Sequence, residues 1–294
     1  MTEIFADRLM ARVRSRGPLC IGIDPHPALL PALFGSPGPE AAASWGLALL
    51  ERAADKAAVV KPQAGLFERW GARGFAALER VCTAAVDQGM MVILDAKRGD
   101  IGTTADGYAE GYLGALSSCP CDAITVNPYM GVETVEPFVR VAEKRGKGVV
   151  VLARTSNPGA HDFQAKLVDG LPLYVHVARS LKPMIDRLRG SGGWSGLMLV
   201  AGATGPEDAA MLRAAAGDAL FLVPGYGAQG AGAREAVAGF VRRGEVLEGG
   251  VVNASRSVAS PPGSTDAISA ASWAALIDGA IDGAQNELLG AISA

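Results

Sequence analysis

Eight short runs of apolar, mostly β-branched residues recur along the chain, and each ends abruptly on polar or turn-forming residues. They lie at 19–23, 57–60, 91–96, 123–126, 148–152, 197–200, 219–223 and 250–252. Between them the pattern turns helical, over 40–54, 64–88, 104–117, 131–145, 172–189, 206–216 and 232–243, with further helices at 3–15 and 265–289. Short apolar runs bounded by turn residues and alternating with amphipathic helices describe parallel strands covered by helices. Eight such units in 294 residues is the count of a (β/α)8 TIM barrel, a single domain over residues 1–294 with added N- and C-terminal helices. A doubly wound sheet is the competing fold. It usually has fewer strands, and it gives no reason for a polar residue at every strand end: Asp24, Lys61, Asp95 with Lys97, Asn127, Thr155 with Ser156, Thr204, Tyr226 and Arg256. In a barrel those ends converge on one mouth, where active sites are built.

Composition limits the function classes. With 49% hydrophobic and 19% charged residues the chain can fill a large core. A net charge of −3 is no electrostatic footprint for nucleic acid. The first residues, Met1 to Arg8, carry early acids and no long apolar run, so no signal peptide is read there. No stretch approaches the roughly 18 apolar residues of a membrane span. These features predict a cytoplasmic protein without a membrane partner. Cys20, Cys82, Cys119 and Cys121 are then expected as free thiols. Neither they nor His26, His161 and His176 show metal-ligand spacing.

The densest chemistry lies in residues 91–104, where an apolar run enters Asp95-Ala96-Lys97-Arg98-Gly99-Asp100. Side chains alternate faces along a strand, so Asp95 and Lys97 share one face, while Asp100 falls on the following loop. Charge beside a buried strand must be neutralised by partners and has shifted pKa values, which marks a candidate for chemistry. An isolated D-x-K is more often a structural ion pair at a strand end, and the rest of the sequence reverses that balance. Lys61 closes the second run and should point toward Asp95 on the neighbouring strand. Gly225-Tyr226-Gly227-Ala228-Gln229-Gly230 spells G-x-G-x-x-G, but in the seventh βα loop rather than the first, where a dinucleotide fold would carry it. Barrel phosphate sites commonly use the loops after strands 7 and 8, and glycines let backbone N–H groups approach an anion. Gln229 is a further donor there, and Arg256 offers a bidentate fork. Asp24 either caps a turn or accepts from a sugar hydroxyl. Thr155-Ser156-Asn157 is either a turn or a reader of an amide-bearing ring.

Asp95-Ala96-Lys97-Arg98-Gly99-Asp100-Ile101 resembles the D-x-K-x-x-D-I signature of orotidine 5′-phosphate decarboxylases. Gly22-Ile23-Asp24-Pro25, Val60-Lys61-Pro62-Gln63, Thr155-Ser156-Asn157-Pro158-Gly159 and Val252-Asn253-Ala254-Ser255-Arg256 resemble its second, longer-chain group. The resemblance spans about residues 19–257. It implies a homodimeric barrel that converts orotidine monophosphate to uridine monophosphate and carbon dioxide, without metal or cofactor. It further implies an alternating charge network of Lys61, Asp95, Lys97 and Asp100, with Asp100 and Thr104 supplied across the dimer interface. Lys97 would protonate ring carbon six, and Asp95 would lie near the substrate carboxylate. Lys61 would hold Asp95 and touch the ribose, and Asp24 would bind a ribose hydroxyl. Ser156 would read the pyrimidine edge, with Gln229, Arg256 and more weakly Tyr226 on the phosphate.

Three other readings remain at this point. A metal-dependent sugar-phosphate decarboxylase or aldolase of the same superfamily typically places an acid after strand 2, where this chain has Lys61-Pro62-Gln63. A non-catalytic nucleotide-binding barrel is expected to have lost part of the charge network, and none of it is missing here. A Schiff-base lysine enzyme would be trapped by borohydride.

Overall fold

The computed structural model describes residues 4–227 and 230–294. Eight parallel strands form one sheet: β1 (Leu19–Ile23), β2 (Val59–Pro62), β3 (Ile93–Arg98), β4 (Ala123–Val126), β5 (Gly148–Arg154), β6 (Ser195–Ala201), β7 (Ala219–Val223) and β8 (Gly250–Ala254). Their spatial order is β2-β1-β8-β7-β6-β5-β4-β3. The two end strands, β2 and β3, meet through single bridges, Val60 to Val92 and Gln63 to Asp95, and the ring closes there. The (β/α)8 barrel is therefore the fold.

Strand alternation sorts the side chains into two cores. Outward residues such as Leu19, Ile21, Ile23, Leu197, Leu199 and Phe221 pack against the helices. Inward residues such as Val59, Ile93, Ala123, Val150, Leu220 and Val251 fill the barrel. Two residues further along the same inward rows stand Lys61, Asp95, Thr125 and Asn253, so the interior is apolar below and polar above. The lower end is sealed by the helix Phe5–Arg16, whose Phe5, Leu9, Met10 and Val13 are buried. Burying each such side chain is worth about 1.5–3 kcal/mol. The C-terminal helix Ala270–Ser293 starts at a capping box, with Ser272 N–H donating to Ser269 Oγ at 3.1 Å. Its buried Trp273 meets Phe34 edge-on, with ring centroids 5.0 Å apart. Among the described residues no helix is long and apolar enough to cross a membrane. All four cysteines are free and buried.

Several expected helices differ. The stretch 64–88 divides into Ala64–Glu68 and Gly71–Asp87 because Gly71 adopts φ +61°, which stops the first turn. The stretch 172–189 divides into Leu173–Ser180 and Lys182–Arg187, with Pro183 in the first turn of the second piece. The helix expected at 232–243 shrinks to Ala233–Ala236. A hairpin, Val241–Arg243 with Val246–Glu248, takes its place. Gly244, at φ +65°, makes the turn, and Glu248 receives Arg14 through two bonds of 2.7 and 2.8 Å. That pair pins the hairpin across the sealed end. The helices expected at 104–117 and 265–289 run instead over Gly102–Leu113 and Ala270–Ser293.

Gly74 shows how tightly the outer layer packs. A Cβ there would collide with the Phe67 carbonyl oxygen and lie 2.9 Å from the Phe67 carbonyl carbon. Helix propensity alone favours alanine over glycine by about 1 kcal/mol. Gly74→Ala is expected instead to destabilise the protein by about 1–3 kcal/mol, the usual range for overpacking. Urea unfolding of the variant against the parent reads the sign directly.

Candidate active site

The inward rows end at a cavity of about 330 Å³ in the barrel mouth. Asp24, Lys61, Asp95, Lys97, Ser156 and Arg256 all line it, so the structure gathers six of the expected site residues into one space. Its volume lies at the small end of the range for ligand pockets.

Asp95 is the hub. Its Oδ2 accepts from Lys61 Nζ at 2.9 Å and from Gln63 Nε2 at 2.9 Å. Its Oδ1 accepts from Lys97 Nζ at 2.6 Å and from Thr125 Oγ1 at 3.0 Å. Asp95 is 7% exposed and Lys61 4%, whereas the Lys97 side chain is 46% exposed and reaches the open cavity. Burial pushes the Asp95 carboxyl up, but the two ammonium groups outweigh it and hold the acid well below the usual carboxylate range. Burial pulls Lys61 down, and the carboxylates of Asp95 and Asp24 reverse this, leaving it above its ordinary value. Both groups are therefore charged across the neutral range. Beneath them, burial drives the Cys20 thiol up to about 12, so it stays protonated.

Local backbone departures create this geometry. Between Leu94 and Arg98 the pairing of β3 with β4 slips, and Lys97 takes φ +49°. Gly99 passes close to Asn127, where a Cβ would lie 2.8 Å from the Asn127 carbonyl oxygen. Arg98 turns away from the cavity. It donates to the Ala96 carbonyl at 3.2 Å and Tyr112 Oη at 3.0 Å, and it pairs with Glu68. Asp24 Oδ1 is buried and has no hydrogen-bond partner among the described residues, which is how a carboxylate waiting for a ligand hydroxyl would look. Ser156 is half-buried on the cavity wall, and Arg256 is exposed at its rim.

Other expected residues fall elsewhere. Asp100 follows β3 on the loop, as its spacing predicts, and its carboxylate accepts the Ile101 N–H at 2.8 Å. Thr104 is exposed on the first turn of the helix Gly102–Leu113. Neither lines this chain's cavity. Gln229 lies outside the described residues. Tyr226 lines the cavity, yet its hydroxyl is spent on Glu287 Oε2 of the C-terminal helix at 2.6 Å, so its phosphate role is not favoured. The sequence reading gave no role to Gln63 or Thr125, both of which bond to Asp95. Thr125 had one visible signal, a hydroxyl at an inward position of an otherwise apolar run. Among the described residues no three His, Cys, Asp or Glu side chains converge as a metal site.

Asp95 supplies a direct test of the hub. Asp95→Asn leaves the buried Lys61 ammonium without its counter-charge and is expected to cost about 3–5 kcal/mol of stability at pH 7. Because the folded-state acid lies below its unfolded value of about 3.9, its contribution is complete above that value and is lost as pH falls through the folded one. Urea unfolding should give a parent–variant gap that is constant from about pH 5 to 8 and narrows below about pH 4.

Comparison with known proteins places this geometry in a family. Residues 17–271 match the model of the family described as "Orotidine 5'-phosphate decarboxylase / HUMPS family". An orotidine 5′-phosphate decarboxylase of Deinococcus radiodurans is 42% identical over 260 residues, 88% of this chain and 90% of that protein. The solved Leishmania donovani OMP decarboxylase superposes with a TM-score of 0.73 at 34% identity, covering 96% of this chain and 99% of that one. The same organism's UMP synthase gives a TM-score of 0.76 at 35% identity, with 97% of this chain spanning 57% of that longer protein. This chain belongs to the orotidine 5′-phosphate decarboxylase / HUMPS family.

Proposed function

We propose that the protein decarboxylates orotidine 5′-monophosphate to uridine 5′-monophosphate and carbon dioxide, the last step of pyrimidine nucleotide synthesis. The observation that carries this reading is the Lys61–Asp95–Lys97 arrangement at the mouth of a family barrel. Loss of carbon dioxide from the pyrimidine leaves an electron pair on ring carbon six, in the ring plane, where the π-system cannot delocalise it. Stabilisation must come from charge held nearby. The Lys97 ammonium, fixed by Asp95 and reaching into the cavity, meets that developing charge and then donates its proton to the carbon. The carbon–carbon bond breaks, carbon dioxide leaves, and solvent returns a proton to the exposed Lys97. Lys61 keeps Asp95 ionised and in place, and Asp95 faces the departing carboxylate.

The rest of the substrate has matching chemistry. The unpartnered Asp24 oxygen suits a ribose hydroxyl, and Ser156 suits the pyrimidine amide edge. Arg256 suits the phosphate, with Gln229 assigned the same role from its sequence motif. Phosphate binding far from the reacting carbon supplies remote binding energy for the chemical step. No metal or cofactor enters this scheme. The metal-dependent reading would use an acid after β2, and that position holds Gln63, whose amide donates to Asp95. The Deinococcus radiodurans relative and the Leishmania donovani OMP decarboxylase carry decarboxylase names, which does not favour a silent nucleotide-binding barrel.

A homodimer completes the site in this reading, with Asp100 and Thr104 entering the neighbouring subunit's cavity. Two features support it. Both residues lie on the chain leaving β3 but outside their own cavity. The segments that follow β3 and the neighbouring β4 expose apolar side chains, with Ile101 60%, Tyr129 81% and Met130 44% exposed. The cytoplasm, where nucleotide intermediates are made, is the proposed location.

Purified protein, treated with a chelator and mixed with orotidine monophosphate, is expected to consume the orotate absorbance. Absence of turnover would sink the proposal. Lys97→Ala should abolish turnover while uridine monophosphate still binds within a few-fold, as calorimetry can measure. Mixing Lys97→Ala with Asp100→Ala subunits regenerates one intact site per mixed dimer. Equal mixing should therefore restore about a quarter of the parent sites, given random exchange in a two-fold dimer. No recovery after verified exchange would remove Asp100 from the shared site.

A further inference from the structure

Lys97 and Asp169 are the two non-glycine residues with positive φ among those described, at +49° and +48°. Asp169 sits beside Gly170 in the tight turn of a small hairpin, Leu167–Val168 with Leu171–Pro172, where this conformation is ordinary. Lys97 sits inside a barrel strand, where a side chain disfavours it. The pairing explains how the conformation arises. Leu94 faces Ile124 and Arg98 faces Val126, so β3 takes four steps while β4 takes two. Within that bulge the Lys97 N–H turns to a side chain, donating to Thr125 Oγ1 at 2.8 Å. The same hydroxyl donates to Asp95 Oδ1 at 3.0 Å, and that oxygen accepts the Lys97 ammonium at 2.6 Å. The main chain of Lys97, the hydroxyl of Thr125, the carboxylate of Asp95 and the ammonium of Lys97 thus close a ring.

We propose that Thr125 is a positioning residue for the decarboxylation. Its hydroxyl holds the β3 bulge that aims the Lys97 ammonium, and it fixes which way the Asp95 carboxylate faces. The inference rests on the decarboxylase reading of this site. Thr125 lines the cavity, yet it is only 1% exposed and its hydroxyl is engaged by the Lys97 N–H and the Asp95 carboxylate. A hydroxyl both accepts and donates, which this position requires. Valine has the same shape but leaves the Lys97 N–H without an acceptor and Asp95 one donor short. Serine retains both bonds.

Orotidine monophosphate turnover and uridine monophosphate affinity are measured for the parent, Thr125→Val, Thr125→Ala and Thr125→Ser. Misplacing a reacting group by about an ångström can cost about 100-fold, so Val and Ala are expected to lower kcat ~10- to 100-fold. Product affinity and KM should stay within about threefold, and Ser within about threefold of the parent kcat, since its bonds survive. Unchanged kcat in Val or Ala overturns the proposal. So does a parallel loss of product affinity, which would make Thr125 a binding group, or a Ser variant as impaired as Val. If Val and Ala fail to fold while Ser matches the parent, Thr125 supports the fold rather than the reaction, and the proposal is again overturned. A parent protein without turnover removes the decarboxylase reading and this proposal together. Parent turnover with a fully active Thr125→Val removes this proposal alone.

Discussion

A carboxylate buried between two ammonium groups governs the upper half of this barrel. Desolvation alone would protonate Asp95 and discharge Lys61, and a neutral pair could not orient Lys97. Mutual attraction at 2.9 and 2.6 Å reverses both tendencies. The carboxylate then uses four donors, two on each oxygen, so its orientation is fixed before any ligand arrives. A charge held ready in this way needs no reorganisation when a new charge develops beside it, which is the economical form of electrostatic catalysis.

The barrel makes this arrangement possible by grading its interior. The apolar layer of Val59, Ile93, Ala123 and Val251 lies one inward step below Lys61, Asp95, Thr125 and Asn253. Each charged residue thus stands on hydrocarbon and faces an opening. The helix Phe5–Arg16 and the hairpin ending at Glu248 lie across the opposite end, so the polar layer opens toward the mouth. Arg98, drawn outward to Tyr112 and Glu68, leaves Lys97 as the cation of that stretch that faces the cavity.

Much of this was legible in the sequence because strand period and strand-end polarity are local properties. The eight runs, and the meeting of Lys61 with Asp95, follow from them. The slip in β3 was not legible, since it depends on which residues of β4 lie opposite, and so Thr125 passed as one more residue of an apolar run. The first hairpin strand, Val241–Arg243, falls inside the helix expected at 232–243 because it follows helix-forming residues, and only the Arg-Gly-Glu turn at 243–245 betrays it. Asp100 and Thr104 illustrate another limit. The resemblance implies a shared site, but in a single chain neither residue lines its own cavity.

The place where the ring of strands closes has a consequence of its own. Between β2 and β3 the main chains meet only through single bridges, and one of them joins Gln63 to Asp95. The side-chain bonds from Lys61 and Gln63 to Asp95 cross the same junction. The groups assigned to chemistry therefore also act as the clasp of the cylinder. Selection for speed at this spot is bound to selection for integrity, and drift at 61, 63 or 95 would loosen the hoop as it dulled the reaction.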